Sequence, residues 1–188
     1  MNTLPLALGA SISIVSLMLG VGIGYSLTPE YRETMYTQMD MGLDRADALV
    51  DLRYLNTMIA HHRSAMLLAE QALASQRSEV RDLAAMILRD EPPAIDELYT
   101  WKREWYSDTR RVRDPRVVNL GEWDESFDLR FLNALITHHE EGIVMTQQIR
   151  QSSSRQEVIK NADAVETFLR TTGDTLRAWR SEWYPSAR

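Results

Sequence analysis

Two adjacent histidine pairs stand out: His61-His62 and His138-His139, the second pair 77 positions after the first. The chain has four histidines and no cysteine. Disulfides, thiolate zinc sites and cysteine nucleophiles are therefore excluded, and a metal site must use imidazole, thioether or carboxylate. Methionines lie close by in sequence. Met58 stands three before His61 and four before His62, and Met66 four after His62, spacings that put side chains on adjoining turns of one helical face. Met145 follows His138 by seven. That is two turns, roughly 10 Å along a helix axis, so another helix must contribute if both are to hold one ion; Met86 is the candidate. Met35, Met39 and Met41 form a further group. They read either as soft ligands or as the apolar side of a short docking helix. Imidazole with thioether suits copper, Cu(I) above all, whereas a carboxylate-poor set disfavours iron, manganese, calcium and magnesium. Each methionine taken singly reads equally well as a core filler.

Helical periodicity places the histidines on the apolar arc. With Tyr54 as reference, Leu55, Met58, Ile59, His61, His62, Ala65, Met66, Leu68 and Ala69 share one face. Asn56, Thr57, Ala60, Arg63 and Ser64 fall opposite. In the second half Phe131, Leu132, Leu135, Ile136, Gly142, Ile143 and Met145 share the arc with His138 and His139, while Glu140 and Glu141 face away. A buried imidazole without a partner costs about 1–3 kcal/mol. A metal ion, water-mediated contacts between the rings, or acidic side chains on neighbouring helices would each offset that cost.

The elements that must position these rings come in two copies. DLRYLN at 51–56 returns as DLRFLN at 128–133, Arg77 and Glu79-Val80 return 78 positions on as Arg155 and Glu157-Val158, and Trp101-Lys102-Arg103-Glu104-Trp105-Tyr106 returns as Trp179-Arg180-Ser181-Glu182-Trp183-Tyr184. No strand alternation occurs, and turn residues are confined to a few places. Helices are expected from Asp47 to about Ala74, Ser78 to Tyr106, Glu125 to Gln151 and Arg155 to Tyr184. Pro92-Pro93 predicts a kink or break in the second helix, and Thr171-Thr172-Gly173 a soft spot in the fourth. The fold expected is all-α: a four-helix bundle of two tandem hairpins, preceded by a transmembrane or signal helix. The divisions are 1–28 for the anchor or signal segment, 29–46 for a methionine-containing connector, 47–107 and 125–188 for the hairpins, and 108–124 for their linker, with 47–188 as one bundle domain. The repeated Trp-x-x-x-Trp-Tyr ends read as rings closing a bundle end, or as an interaction surface.

From Thr3 to Leu27 no residue is charged. A bilayer core needs about 20 apolar residues. The stretch reads as an uncleaved anchor, with a cleaved signal peptide as the alternative; either puts the domain on the periplasmic side of a membrane. The net charge of -6 argues against nucleic acid and is compatible with cations.

The stretches DLRYLNTMIAHHRSAMLLAE and DLRFLNALITHHEEGIVMTQ resemble the domain of unknown function 305 family. Its signature is an aromatic residue, a methionine, two histidines and A-x-x-M along one helix. The resemblance, over roughly Met35 to Tyr184, implies a ferritin-like bundle and, through exported CopM-like members, copper binding. It points to Met58, His61, His62, His138, His139 and Met145. Leu68 and Leu135 stand where the family has methionine, and Glu91, Ala94 and Leu98 where a second-helix Gln-x-x-Glu-x-x-x-Met feature is expected. The resulting expectation is an extracytoplasmic protein that sequesters or buffers Cu(I) or Cu(II) through these side chains. It is no enzyme, it is tied to the membrane by its N-terminus, and it leaves room for a homo-oligomer or a copper-transfer partner. The alternative is a tethered structural or interaction bundle without metal. Glu-x-x-His occurs at neither pair, which argues against a di-iron oxidase.

Overall fold

The structure, a computed structural model, describes residue 43 and residues 45–185. The 1–28 segment and Met35, Met39 and Met41 lie outside the described residues. Among the described residues no helix is long and apolar enough to cross a membrane.

Four helices follow in order: α1 Val50–Ala72, α2 Ser78–Tyr106, α3 Phe127–Ser152 and α4 Gln156–Trp183. α1 packs on α2 and α3 on α4, and the hairpins join through α1 against α3, whereas α2 and α4 barely touch. The apolar stripes account for this. Leu68, Ala69, Val80, Ala84, Phe131, Leu132 and Leu135 meet in one core.

Three features refine the expectation. α2 runs unbroken through Pro92 and Pro93. The prolines leave the carbonyls of Leu88 and Arg89 without their usual helical donors, but buried Ile87 on one side and Ile95 and Leu98 on the other hold the helix to its neighbours. α4 likewise continues through Thr171-Thr172-Gly173. The two threonine hydroxyls donate back to the Thr167 and Phe168 carbonyls at 3.0 and 2.8 Å, and Gly173 is buried. Finally, the polar face of α1 is not open to solvent: Asn56, Thr57, Ala60 and Ser64 are all buried. The linker between the hairpins lies along this helix. The Leu120 amide donates to Gln71 at 2.8 Å, Gln71 donates to the Val118 carbonyl at 3.1 Å, and Arg63 pairs with Asp114.

The repeat is also a lock between the halves. Ser75 and Arg77, in the first turn, donate to Asp128 at the start of α3, at 2.5 and 3.3 Å. Ser153 and Arg155, in the second turn, donate to Asp51 at the start of α1, at 2.6 and 3.2 Å. These pairings set α1 antiparallel to α3. The same arginines then cover the aromatic ends, Arg77 over Trp183 at 4.5 Å and Arg155 over Trp105 at 4.1 Å. Trp101 stacks on Trp105, and Trp179 on Trp183, each at 5.1 Å. The duplicated Asp, Arg and Trp motifs thus meet across the two halves.

Candidate metal site

The antiparallel crossing of α1 and α3 brings the two histidine pairs together. The His61 and His138 rings stack with centroids 3.7 Å apart and planes 10° apart. His62 stands edge-on to His61 at 6.2 Å, and His139 edge-on to His138 at 5.9 Å. All four are buried, none more than 8% exposed. Gly142 makes the approach possible. A Cβ there would sit 2.5 Å from Leu169 Cδ1 and 2.6 Å from His61 Nε2, so no larger residue fits without movement.

Three of the rings are each tied by one nitrogen. His138 Nε2 donates to the His61 carbonyl at 3.0 Å. Thr172 already gives its hydroxyl hydrogen to Phe168, so it accepts from His139 Nε2, at 2.8 Å. His62 Nδ1 donates to the Glu91 carboxylate. Carbonyl and carboxylate oxygens can only accept, which places the proton on each of these nitrogens. The opposite nitrogens, His62 Nε2, His138 Nδ1 and His139 Nδ1, are buried without a hydrogen-bond partner. Both nitrogens of His61 are also unpartnered.

Burial favours the neutral ring at His61, His138 and His139. Burial, then the neighbouring imidazoles His138, His62 and His139, pushes His61 well below the usual histidine range. Burial lowers His138, against the raising influence of the His61 carbonyl. Burial, then His138, lowers His139 to about 4, against the raising influence of the Leu135 carbonyl one turn back, which lies outside hydrogen-bonding geometry. Neutral imidazoles with bare, desolvated lone pairs are the ligand form of histidine.

The rings floor a cleft of about 630 Å³ between α2 and α4. Its walls include Leu83, Met86 and Ile87 from α2 and Val165, Phe168 and Leu169 from α4, and Glu79, Asp82 and Asp90 also line it. Met86 is the candidate thioether that shares the cleft with all four histidines. Met66 lines a different cleft, with Arg63, Pro92 and Tyr99. Met58 is fully buried one turn before the first pair, and Met145 is half-buried on α3; neither is among the residues lining the histidine cleft. Among the described residues no three of His, Asp or Glu stand ready around one point. Lone pairs lie in the ring planes, so the parallel His61 and His138 rings must turn before both could reach one ion.

Glu91, Thr172 and Gly142 complete the site, and none was singled out as part of it by sequence. Glu91 did leave a signal. It sits on the α2 stripe formed by Val80, Ala84, Ile87, Ile95 and Leu98, a carboxylate on an otherwise apolar face. Gly142 lies on the α3 core stripe between His138 and Thr146. Thr172 carried no signal beyond its place beside Gly173.

The model of the domain of unknown function DUF305 matches residues 51–119 and again 114–180. The chain belongs to the DUF305 family. The two matches follow the two hairpins of the repeat. Among solved structures the chain is similar to "CopM in the Cu(I)-bound form", with TM-score 0.64 and 27% identity over 71% of this chain and 97% of that one. The Ag-bound form obtained by co-crystallization gives TM-score 0.63 at 27% identity, with the same coverage. The Cu(II)-bound form gives TM-score 0.60 and 26% identity over 71% and 97%. No curated protein matches the chain.

Proposed function

We propose that this DUF305 protein captures copper ions at the floor of the α2/α4 cleft and buffers them outside the cytoplasm, without catalysing a reaction. The observation that carries this reading is the set of bare ring nitrogens. His62 Nε2, His138 Nδ1 and His139 Nδ1 are buried and unpartnered while the other nitrogen of each ring is held. Metal-ligating histidines are arranged this way, because the held N–H fixes the tautomer and orients the lone pair. Met86 supplies a thioether in the same cleft, which favours a soft ion. The CopM structures with Cu(I), Cu(II) and Ag, alike in fold to this chain, support the same cargo. The uncharged stretch from Thr3 to Leu27 supports export, by an anchor or a cleaved signal.

The test is titration of the full chain, in mild detergent, with Cu(I) against a competing chelator. Saturable binding is expected, and it is expected to be lost in the His62→Gln/His139→Gln double variant with helical circular dichroism retained. Equal binding by the folded variant contradicts the proposal. Absence of saturable binding by the unaltered chain favours a bundle whose stacked His61 and His138 rings are only structural.

A further inference from the structure

The two halves do not hold their histidines alike. Glu91 on α2 faces His62, whereas Thr172 on α4 faces His139. The pairing is asymmetric in chemistry, since one partner is a carboxylate and the other a hydroxyl. It is asymmetric in register too: the repeat relates Arg77 to Arg155 across 78 positions, which carries Glu91 onto Leu169. The Glu91 side chain is only 15% exposed and that of His62 only 10%, so their contact is largely withdrawn from water.

Resting on the copper reading, we infer that Glu91 is a positioning residue that makes His62 the principal imidazole anchor of the site, so that loading is led by the first half. A carboxylate fixes the His62 proton on Nδ1 and leaves Nε2 as the ligand atom. Its negative charge also makes that nitrogen a stronger donor and offsets the charge of an arriving cation. Thr172 fixes the tautomer of His139 but brings no charge. The geometry agrees, since His62 Nε2 is the nitrogen left buried and unpartnered in a cleft that Glu91 and Met86 both line. Glu91 Oε2 engages the Nδ1 edge of the ring, opposite the Nε2 that is left for the ion.

Glu91→Gln tests this. A glutamine amide presents either an oxygen or an N–H to Nδ1, so it no longer dictates the tautomer and carries no charge. The full chain is compared with Glu91→Gln and Thr172→Val in two measurements. In the metal-free proteins, side-chain 15N spectra report the His62 tautomer. Unaltered protein should show the proton on Nδ1, and Glu91→Gln should shift population to Nε2–H. In Cu(I) competition titrations Glu91→Gln should bind about 10–100-fold more weakly, and Thr172→Val should lose less. Unchanged tautomer and affinity in Glu91→Gln overturn the inference while leaving the copper reading intact, as does a larger loss in Thr172→Val. An unaltered chain that binds no Cu(I) overturns the copper reading itself, and the inference with it.

Discussion

At the scale of single residues, the site depends on imidazoles packed close together, with His61, His138 and His139 kept neutral by burial. His139 illustrates the energetic consequence. Its pKa falls to about 4 on folding, from about 6.5 in an open chain. Between those values the unfolded chain takes up a proton that the folded chain refuses, so metal-free stability falls as pH drops from about 6.5 to about 4. His139 alone contributes on the order of 3 kcal/mol to that fall, and His61 and His138, lowered by the same burial, add in the same direction. Urea denaturation at pH 7 and pH 4.5 should show the difference, and His139→Gln should reduce it. A flat profile would mean the rings are hydrated. Gly142 makes a second, independent demand. Gly142→Ala drives a methyl into His61 and Leu169. It should cost about 1–3 kcal/mol as an overpacked core does, and should separate the stacked rings, read as altered His61 and His138 side-chain resonances. The histidines were legible from sequence because their apolar face repeats. Thr172 was not, since a hydroxyl on a helix gives no sign of accepting a hydrogen bond from another helix.

At the scale of elements, α2 keeps its helix through two prolines beside the site. Glu91 immediately precedes them, so this turn presents the carboxylate to His62. Pro93 is exposed, and replacing it loses no buried contact. Pro93→Ala restores one donor to the Arg89 carbonyl, and is expected to stabilise the protein by about 1–3 kcal/mol, given the cost of proline in a helix interior. Thermal unfolding checks this, and a lower Tm would show that the prolines set a bend the site needs. Of the kink or break that Pro92-Pro93 predicts, the break does not occur, because that rule weighs local hydrogen bonds and not the packing of Ile87, Ile95 and Leu98 on both sides. The buried polar face of α1 escaped sequence reading for a related reason. A helical wheel shows which side is apolar but not that a linker returns to cover the other.

At the scale of the molecule, the fold joins two copies of one hairpin by exchanging charges at both ends. Asp51 and Asp128 lie at opposite ends of the α1/α3 pair and each accepts from the other half's turn. Asp51→Ala and Asp128→Ala should each destabilise by about 1–3 kcal/mol, and their effects should add, since the sites are far apart. Denaturant curves should remain a single transition in both variants; two transitions would show hairpins that fold independently. The Asp, Arg and Trp repeats were visible in the sequence. Their pairing across halves was not, because periodicity within one helix says nothing of which helix it meets. The cleft follows from the same arrangement: central α1 and α3 carry the histidines, and outer α2 and α4 stand apart above them.

The central claim is that buried, unprotonated ring nitrogens take the ion. Side-chain 15N spectra of the full chain before and after one equivalent of Cu(I), itself diamagnetic, test it most directly. The account predicts large shifts at His62 Nε2 and at Nδ1 of His138 or His139, with the nitrogens bonded to Glu91, the His61 carbonyl and Thr172 keeping their protons. Copper bound with all four imidazole spectra unchanged would contradict it.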